Sequence, residues 1–451
     1  MKKAVRYAIL VALAAMAFAV SGAAVHAQTR TFSTGFQIQN LSTTTANVTI
    51  SFYPEGSGTA LPPVSTTVAG SGSKTYATLP SAVTAGFTGA AVISADQKIA
   101  AIVNVVSPDL SLSFGGAAYS GFTSGAKTVS LPVIFKGSFG FNTFFNVQNV
   151  SSTAASVSVR YSNGVTEGPF TIQPGSAKRF DQAVNAGLTA PFFGSATVTS
   201  DQDIAATVIE VGPTTVLGYN GITAGSTAPV FPLVNSNNAG YMTGIGLQNA
   251  GDVATTVTVS YTPSGSGLGT ACTETQTIPA KGTKAFAIDA FRISAAGENC
   301  ANGALFVGSA KVTANSASQP LVGIVNQLNQ TTNKGGSYNA FNTSNATNTV
   351  VYPLIQDRVY GFFTGISIVN VGDVATPLTC TYSGTTYTDS TASLAPGATF
   401  TVQQVNKIGN LFNGSGTCTA SAPGAKIVGI ANQLKNTGTT DTFFVYEGTN
   451  N

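Results

Sequence analysis

The chain has 451 residues, with 20 Lys and Arg against 17 Asp and Glu, one histidine, four cysteines and no tryptophan. Only 8% of the residues are charged, and the basic residues are scattered along the sequence. This composition excludes nucleic-acid binding, which requires clustered Lys and Arg to neutralise phosphates.

The N-terminal segment has the features of a secretory signal peptide. Three basic residues among the first six precede an apolar stretch at 8–20, and Val25-His26-Ala27 fits the small-x-small cleavage pattern. We expect residues 1–27 to be removed by cleavage before Gln28. Because three of the 20 basic residues leave with the signal, the mature chain carries 17 basic and 17 acidic residues.

The predicted cleavage also removes His26, the only histidine. Catalytic triads and His-ligated zinc sites then lack their central residue. No later stretch approaches the ~20 apolar residues of a membrane-spanning helix. The sequence therefore predicts an exported protein that is not an enzyme, binds no cofactor or metal, and has no membrane span after cleavage.

One seven-residue line recurs four times along the chain, with Thr and Asn always six residues apart. The copies are Thr34-Gly-Phe-Gln-Ile-Gln-Asn40, Thr143-Phe-Phe-Asn-Val-Gln-Asn149, Thr243-Gly-Ile-Gly-Leu-Gln-Asn249 and Thr364-Gly-Ile-Ser-Ile-Val-Asn370. A turn and an alternating β-branched run follow each copy, as in a strand pair. We interpret Asn40, Asn149, Asn249 and Asn370 as strand-ending turn residues, and a repeated ligand-binding row is the alternative.

Each repeat spans about 100 residues and contains six or seven short strands between Gly, Pro, Asn and Ser turns. This pattern predicts an all-β fold of four tandem immunoglobulin-like β-sandwiches. The expected boundaries are 28–128, 129–227, 228–347 and 348–451, called repeats 1 to 4 below. The sequence resembles the tandem Ig-like domains of bacterial secreted and cell-surface proteins, which implies a scaffold, adhesion or envelope role.

The four cysteines form two pairs, each within one repeat. Export permits disulfides, and pairing within repeats gives Cys272–Cys300 and Cys380–Cys418 among three possible connectivities. Cys380 lies ten residues after Asn370, where the other repeats carry an aliphatic residue. Cys418 aligns with Ala90, Ala196 and Ala310. We therefore expect a core disulfide across the sandwich in repeat 4, and a bridge over an insertion in repeat 3.

Two acidic residues recur in identical Gly-Asp-Val-Ala-Thr turns, at Asp252 and Asp373. We interpret them as turn residues that bond their own backbone; half of a calcium site is the alternative, although no Asp-x-Asp-x-Asp cluster accompanies them. A glycosidase would need two converging carboxylates, and no pair stands out.

Aromatic residues also recur, near the predicted junctions between repeats. We align Tyr119, Tyr219 and Tyr338 with Phe444 and expect them to pack between repeats. Stacking platforms for glycans are the alternative, which the absence of tryptophan weakens.

An apolar strand with a central proline precedes three of the four recurring lines. These strands contain Leu131-Pro132-Val-Ile134, Phe231-Pro232-Leu-Val234 and Tyr352-Pro353-Leu-Ile355. Proline cannot donate to a ladder, so we predict edge strands. The mature chain is one such strand short, either in repeat 1 or, if each strand closes the preceding repeat, in repeat 4. The open edge could simply be tolerated, or it could accept a strand from a partner.

The leading functional hypothesis is an exported structural protein of the bacterial cell surface, such as a layer, sheath or fibre subunit. Its expected partners are further copies of itself or another cell-surface protein, held by strand addition at the open edge. The second hypothesis is an adhesin or glycan-binding module, which predicts an exposed Tyr and Phe cluster on the loops of one repeat. An outer-membrane β-barrel is a third, and the repeated proline strands count against it.

Overall fold

The computed structural model describes residues 31–107, 115–265, 267–287, 300, 303–316, 318–435, 437–438 and 440–450. The predicted signal peptide lies outside these residues. The regular structure is almost entirely β-strand, and a single 3-10 turn at Thr343–Asn345 is the one helical element among the residues described. The prediction of an all-β fold is therefore confirmed.

The strands follow the repeats in order. Repeat 1 contains β1 (Ser33–Asn40), β2 (Ala46–Pro54), β3 (Val64–Val68), β4 (Ser73–Tyr76), β5 (Gly89–Ala95), β6 (Ile99–Ser107) and β7 (Gly115–Ser120). Repeat 2 contains β8 (Ala126–Ser138), β9 (Phe141–Asn149), β10 (Ala155–Tyr161), β11 (Thr166–Ile172), β12 (Ala177–Asp181), β13 (Phe192–Val211) and β14 (Val216–Asn220).

The second half of the chain repeats this order. Repeat 3 contains β15 (Val230–Ser236), β16 (Tyr241–Asn249), β17 (Thr255–Pro263), β18 (Cys272–Ile278), β19 (Thr283–Phe286), β20 (Phe306–Ala314), β21 (Leu321–Asn329) and β22 (Lys334–Asn339). Repeat 4 contains β23 (Thr349–Val359), β24 (Phe362–Asn370), β25 (Thr376–Tyr382), β26 (Thr388–Leu394), β27 (Thr399–Gln403), β28 (Phe412–Ala420), β29 (Ile427–Lys435), β30 (Phe443–Glu447) and β31 (Thr449–Asn450).

Every repeat builds two antiparallel strand sets with the same connectivity. In repeat 3 one sheet has the order β15-β20-β17-β18 and the other β19-β16-β21-β22. Repeat 1 has the corresponding orders β3-β2-β5 and β4-β1-β6-β7. In repeat 2 the continuous strand β13 serves both sets, pairing with β10 and β8 through its first half and with β9 and β14 through its second.

Alternating residues on the strands fill the space between the paired sheets. In β10, for example, Val157, Val159 and Tyr161 are buried while the residues between them are more exposed. Full burial of a large apolar side chain contributes about 1.5–3 kcal/mol. The buried clusters also cross repeat boundaries, because Ile324 of repeat 3 packs into the core of repeat 2 and Ile102 of repeat 1 packs into that of repeat 4. Thr31–Asn451 accordingly forms one compact unit.

The three proline strands, β8, β15 and β23, occupy equivalent places in their repeats. Strand β15 is the edge of its sheet, as predicted, whereas β8 also pairs with β9, and β23 also pairs with β24 and β31. Each pairs with a later strand of its own repeat, namely β13, β20 and β28. Each pairing contains a bulge at the proline, since the register shifts between Leu131 and Ile134 and at the matching places in β15 and β23. The strand shortage therefore falls in repeat 1, where β5 is the last strand of its sheet among the described residues.

Both disulfides that the sequence favours are present, Cys272–Cys300 and Cys380–Cys418. The expected environment of the second was wrong. Cys380 and Cys418 are direct neighbours on β25 and β28, so the bond joins two strands of one sheet and does not cross the sandwich. The matching pairs in repeats 2 and 3 are Val159–Val198 and Val259–Val312, which places Cys418 two residues away from the alanine alignment.

Candidate functional site

The four recurring asparagines are buried structural residues. Each has 0% exposure and makes the same three types of side-chain hydrogen bond. The Nδ2 atom of Asn149, for instance, donates to the carbonyls of Thr153 at 2.7 Å and Ile172 at 2.9 Å, and its Oδ1 accepts from the Ser151 N–H at 2.9 Å. These bonds tie a turn to the end of a neighbouring strand and leave no exposed row that could bind a ligand.

The two recurring aspartates do not have the expected bonds. In the turns that contain them, the side chains of Asn249 and Asn370 bond the backbone N–H groups of Gly251 and Gly372. Asp252 is 89% exposed and lies 3.0 Å from the Lys281 ammonium group. The asparagine that ends the preceding strand already occupies the turn's hydrogen-bonding groups, so the aspartate points to solvent.

The recurring aromatic residue of repeat 4 is Tyr446 and not Phe444. Tyr119, Tyr219, Tyr338 and Tyr446 pair with equivalent residues of the neighbouring strand, Val103, Val208, Val325 and Ala431. The alignment error of two residues arose because Phe444 and Tyr446 are both aromatic and point to the same side of β30.

Three of these tyrosines hold the bulges of the proline strands. The hydroxyl groups of Tyr219, Tyr338 and Tyr446 donate to the carbonyls of Val133, Leu233 and Leu354, each directly after a proline. In repeats 2 and 3 the same hydroxyl also accepts the N–H of that residue, at 3.2 Å. The tyrosines are buried and therefore cannot serve as stacking platforms for glycans.

The strands that carry these tyrosines contact one another, and we call β7, β14, β22 and β30 the junction strands. Strand β7 contacts β14 and β30, and β22 contacts the same two strands, so the contacts form a closed circuit through all four repeats. Glycines allow the close approach, because a Cβ on Gly116 would lie 2.3 Å from the Phe444 ring and one on Gly336 would lie 2.4 Å from Val445.

A single carboxylate joins the starts of the junction strands. Asp441 of repeat 4 is fully buried and accepts backbone N–H groups from Val216 at 2.7 Å, Gly335 at 2.8 Å and Gly116 at 3.4 Å. The three donors belong to repeats 2, 3 and 1 and lie three residues before their tyrosines. Burial raises the pKa of the Asp441 carboxyl well above its ordinary value, while the three N–H groups and the Lys334 charge act in the opposite direction.

The other ends of the junction strands are joined by the residue that follows each tyrosine: Ser120, Asn220, Asn339 and Glu447. The Asn339 N–H donates to the Glu447 carboxylate, and the Asn220 N–H donates to Asn339 Oδ1 at 3.2 Å. The Asn220 amide donates to the Ser120 carbonyl at 2.8 Å, and the Ser120 hydroxyl donates to the Glu447 carbonyl at 3.1 Å. Four equivalent residues thus close a hydrogen-bonded ring.

Another buried acid lies between repeats 2 and 3. Glu210 on β13 has 0% exposure and accepts the Asn326 amide at 2.7 Å. Burial raises the pKa of Glu210 to about 8, with the Asn326 bond acting in the opposite direction. In repeat 3 the position equivalent to Glu210 holds Gln327. The Nε2 atom of Gln327 lies 3.5 Å from Oδ1 of Asn432 in repeat 4.

At the equivalent contact between repeats 1 and 2, an apolar cluster replaces the acid and the amide. Val105 occupies the position of Glu210, and Ile209 occupies that of Asn326; both belong to one cluster with Phe144. The ring of Phe144 packs against Phe32 at 5.5 Å, and the Arg179 guanidinium lies 3.7 Å from its centroid. Val105 and Ile209 are both apolar at this contact, and Glu210 and Asn326 are both polar at the contact between repeats 2 and 3. The two residues that meet are therefore of the same polarity at each contact.

Other acids bond groups within their own repeats. The buried Glu274 and Asp389 bond Tyr261 and Tyr382, and the half-buried Glu167 bonds Tyr161. The fully buried Asp357 accepts the Arg358 guanidinium at 2.8 Å and the backbone N–H groups of residues 406–409. Two clefts of about 320 and 340 Å³ hold few titratable groups: Asp373 and Lys426 in the first, and Tyr382 in the second. In the part of the chain that is described, no group of three His, Cys, Asp or Glu residues could hold a metal ion. The buried acids we describe bond neighbouring strands, tyrosines and amides.

Sequence reasoning predicted that the recurring aromatic residues pack between repeats, but it missed Asp441 and the ring of polar residues that join the junction strands. The signal was present, since every repeat has a tyrosine followed by a short polar or acidic residue. Comparison with known proteins adds no assignment: no family model matches the chain, and no curated protein matches it. No helix within the described ranges has the length and apolar character needed to cross a membrane.

Proposed function

We propose that the chain is an exported, non-enzymatic structural protein that serves as a rigid building block of the bacterial cell surface. The observation that carries this proposal is the junction. Asp441 and Glu447 bond residues of other repeats, and so hold the four repeats in one body.

The architecture supports reading each repeat as an immunoglobulin-like sandwich. Repeats 2 to 4 each combine two four-stranded sets around a common core, which matches the two-sheet plan of that fold. The boundaries 28–128, 129–227, 228–347 and 348–451 belong to this proposal. Two disulfides support export, because such bonds persist outside the reducing cytosol.

Cell fractionation with electron microscopy tests the structural role. Producing cells would be separated into cytoplasm, periplasm, envelope and medium, and the chain located by antibody and by mass spectrometry of surface material. We expect the chain in an ordered envelope assembly. A soluble monomer that remains in the periplasm, or turnover of glycan or peptide substrates by the pure protein, would contradict the proposal.

A second candidate function, adhesion, is favoured by one exposed aromatic residue, Phe139, at the edge of a mostly buried aromatic cluster. Phe139 lies in the tight turn between β8 and β9 with 72% of its surface exposed and a positive φ of 53°. Its ring lies 6.3 Å from both Phe135 and Phe193, and Phe141 lies 5.7 Å from Phe135. An exposed aromatic group on a rigid turn resembles a contact point for a sugar ring or a protein partner.

A glycan array with wild-type protein and Phe139→Ser tests adhesion. Val184→Ser is the matched control, because Val184 is 73% exposed and lies outside this aromatic cluster. Adhesion predicts glycan binding that the Phe139 variant loses and the Val184 variant keeps. Absence of binding, or equal binding by both variants, would leave the structural role as the sole proposal.

A further inference from the structure

The proline strands contact three kinds of partner: a paired strand of the same repeat, a tyrosine that bonds the bulge, and strands of an adjacent repeat. Strand β8 pairs with β13 of its own repeat, its bulge is bonded by Tyr219, and it packs against β16 and β21 of the next repeat. Strand β23 makes the corresponding contacts with β28, Tyr446, and β1 and β6 of repeat 1. A polar group of the adjacent repeat bonds the proline carbonyl in two cases: Thr283 to Pro132, and Gln37 to Pro353.

Repeats 1 and 2 contain the groups that surround a proline strand elsewhere: a partner strand, β5, a tyrosine and a polar side chain of the next repeat. Among the described residues, no strand lies between repeats 1 and 2 to use them. The edge of β5 is open, and Gly89 and Ala91 are exposed where their counterparts Gly194 and Ala196 are buried. The Tyr119 hydroxyl has no hydrogen-bond partner within the described ranges, and burial alone raises the pKa of Tyr119 to about 12.

Asn146 completes the set of unused groups. It occupies the position of Gln37, whose amide bonds the Pro353 carbonyl. Asn146 is half-buried, and its side chain makes no hydrogen bond with the residues that the structure describes. The three atoms nearest to a Cβ added at Gly121 all belong to Ala101, whereas at its counterparts Gly221 and Gly448 the nearest atoms are those of Val129 and Val350 on the proline strands.

We propose that repeats 1 and 2 form an acceptor site for an extended, proline-containing strand of another protein. The strand would pair with β5, and the Tyr119 hydroxyl and the Asn146 amide would bond the carbonyls around its proline. The apolar cluster around Phe144 holds the two repeats together without the strand, so the site exists before the partner arrives. Strand addition to an open edge is an established mode of recognition.

The chain's own proline strands define the chemistry of the partner. In each strand, two residues around the proline are fully buried. One is the residue directly before the proline, and the other is the residue two positions after the proline, which is Ile134, Val234 or Ile355. The partner segment therefore carries an aromatic or large aliphatic residue, then proline, then two aliphatic residues. In a second copy of the chain, the strands of this kind are already built into its own repeats, which favours a different protein.

The chain's own N-terminus is the competing occupant. The four-residue proline segment ends nine residues before the recurring Thr, as Ile134 does before Thr143, and this corresponds to residue 25 in repeat 1. This residue leaves with the signal peptide if cleavage occurs before Gln28, so the inference rests on the export that is part of the proposed function. Intact mass measurement of the exported protein identifies its first residue.

A synthetic peptide copying residues 126–136 is the probe. Fluorescence anisotropy of the labelled peptide would be measured with exported full-length mature protein, and hydrogen exchange would report on the amides of β5. We expect saturable 1:1 binding and slower exchange in β5. A peptide with Asp in place of both Leu131 and Ile134 should not bind, because both of these side chains are buried in β8.

Two variants test the assigned contacts. Tyr119→Phe and Asn146→Ala should each weaken binding by about 5-fold, the value of one hydrogen bond, while Tyr360→Phe on an 85% exposed residue should leave it unchanged. Equal binding of both peptides, no binding, or no effect of Tyr119→Phe would overturn the proposal. A mature chain that starts before residue 22 with β5 protected in the absence of peptide would also overturn it. A surface-located chain that fails these tests keeps its structural role.

Discussion

The carboxylate of Asp441 accepts the backbone N–H of Val216 at 2.7 Å, although 225 residues separate the two in sequence. The same carboxylate bonds Gly335 and Gly116, so one side chain of repeat 4 contacts the junction strands of the other three. Loss of this group should therefore affect all four repeats.

Replacing Asp441 tests this connection. Asp441→Ala leaves three buried N–H groups without their acceptor, and each such group costs about 1–3 kcal/mol. We expect a loss of about 3–5 kcal/mol in the free energy of unfolding, measured by urea denaturation. Asp373→Ala, at an exposed turn, is the control and should change stability by less than about 0.5 kcal/mol. Equal stability of the two variants would show that the junction contributes little.

Glu210 should make stability depend on pH. Because burial raises its pKa in the folded protein from an ordinary value of 4.5 to about 8, the folded state binds the proton more tightly than the unfolded state does. The contribution of Glu210 to stability is then highest below about pH 4.5 and falls as the pH rises to 8, by at most about 1.4 kcal/mol per unit.

Glu210→Gln should remove this dependence, and Gln327 already occupies the equivalent position in repeat 3. We expect the variant to be more stable than wild type at pH 8, on the order of 1–3 kcal/mol, and similar at pH 4.5. Thermal denaturation between pH 4.5 and 8.5 measures the difference. A constant difference at every pH would mean that the Glu210 carboxyl does not titrate as its burial implies.

Gly116 should tolerate no side chain. A Cβ at this position would lie 2.3 Å from the buried Phe444 ring, and overpacking of this kind costs about 1–3 kcal/mol. Gly116→Ala should therefore lower the melting temperature. Gly244→Ala is the matched control, because nothing lies within 4 Å of the added Cβ. A similar melting temperature for the two variants would contradict the close packing of the junction strands.

The disulfide between Cys380 and Cys418 should be replaceable by two valines. Repeats 2 and 3 place Val159–Val198 and Val259–Val312 at the same cross-strand positions. The double Val variant should fold and lose at most about 3–4 kcal/mol, the entropic value of closing this loop. The double Ala variant should lose more, because it also leaves a cavity. Denaturant midpoints under non-reducing conditions measure the order, and a less stable valine variant would contradict it.

Much of the local structure could be predicted because it depends on short-range pattern. A few neighbouring residues determine each of these features: the alternation of buried and exposed residues along a strand, the turn asparagines, and the missing backbone N–H at Pro132, Pro232 and Pro353. Register was harder to predict. Cys418 and Phe444 were each placed two residues from their true equivalents, because a shift of two keeps a strand residue on the same face and so preserves the pattern.

The junction could not be predicted in this way because its strands are complementary and not similar. Gly116 of β7 receives Phe444 of β30, and Gly336 of β22 receives Val445. A comparison of repeats finds shared residues such as the tyrosines, but it cannot show that a glycine in one repeat provides space for a ring in another. The partners of Asp441 are likewise backbone groups, which leave no mark on the sequence.

The central claim is that the four repeats close on one another through the junction strands. Small-angle X-ray scattering of the exported mature protein tests it most directly. A compact unit of this size predicts a radius of gyration of about 22 Å. Four domains of about 100 residues, each with a radius of about 13 Å and arranged in a row, would give roughly 40 Å or more. A value near 22 Å with a single-peaked distance distribution supports the closed arrangement, and the larger value would contradict it.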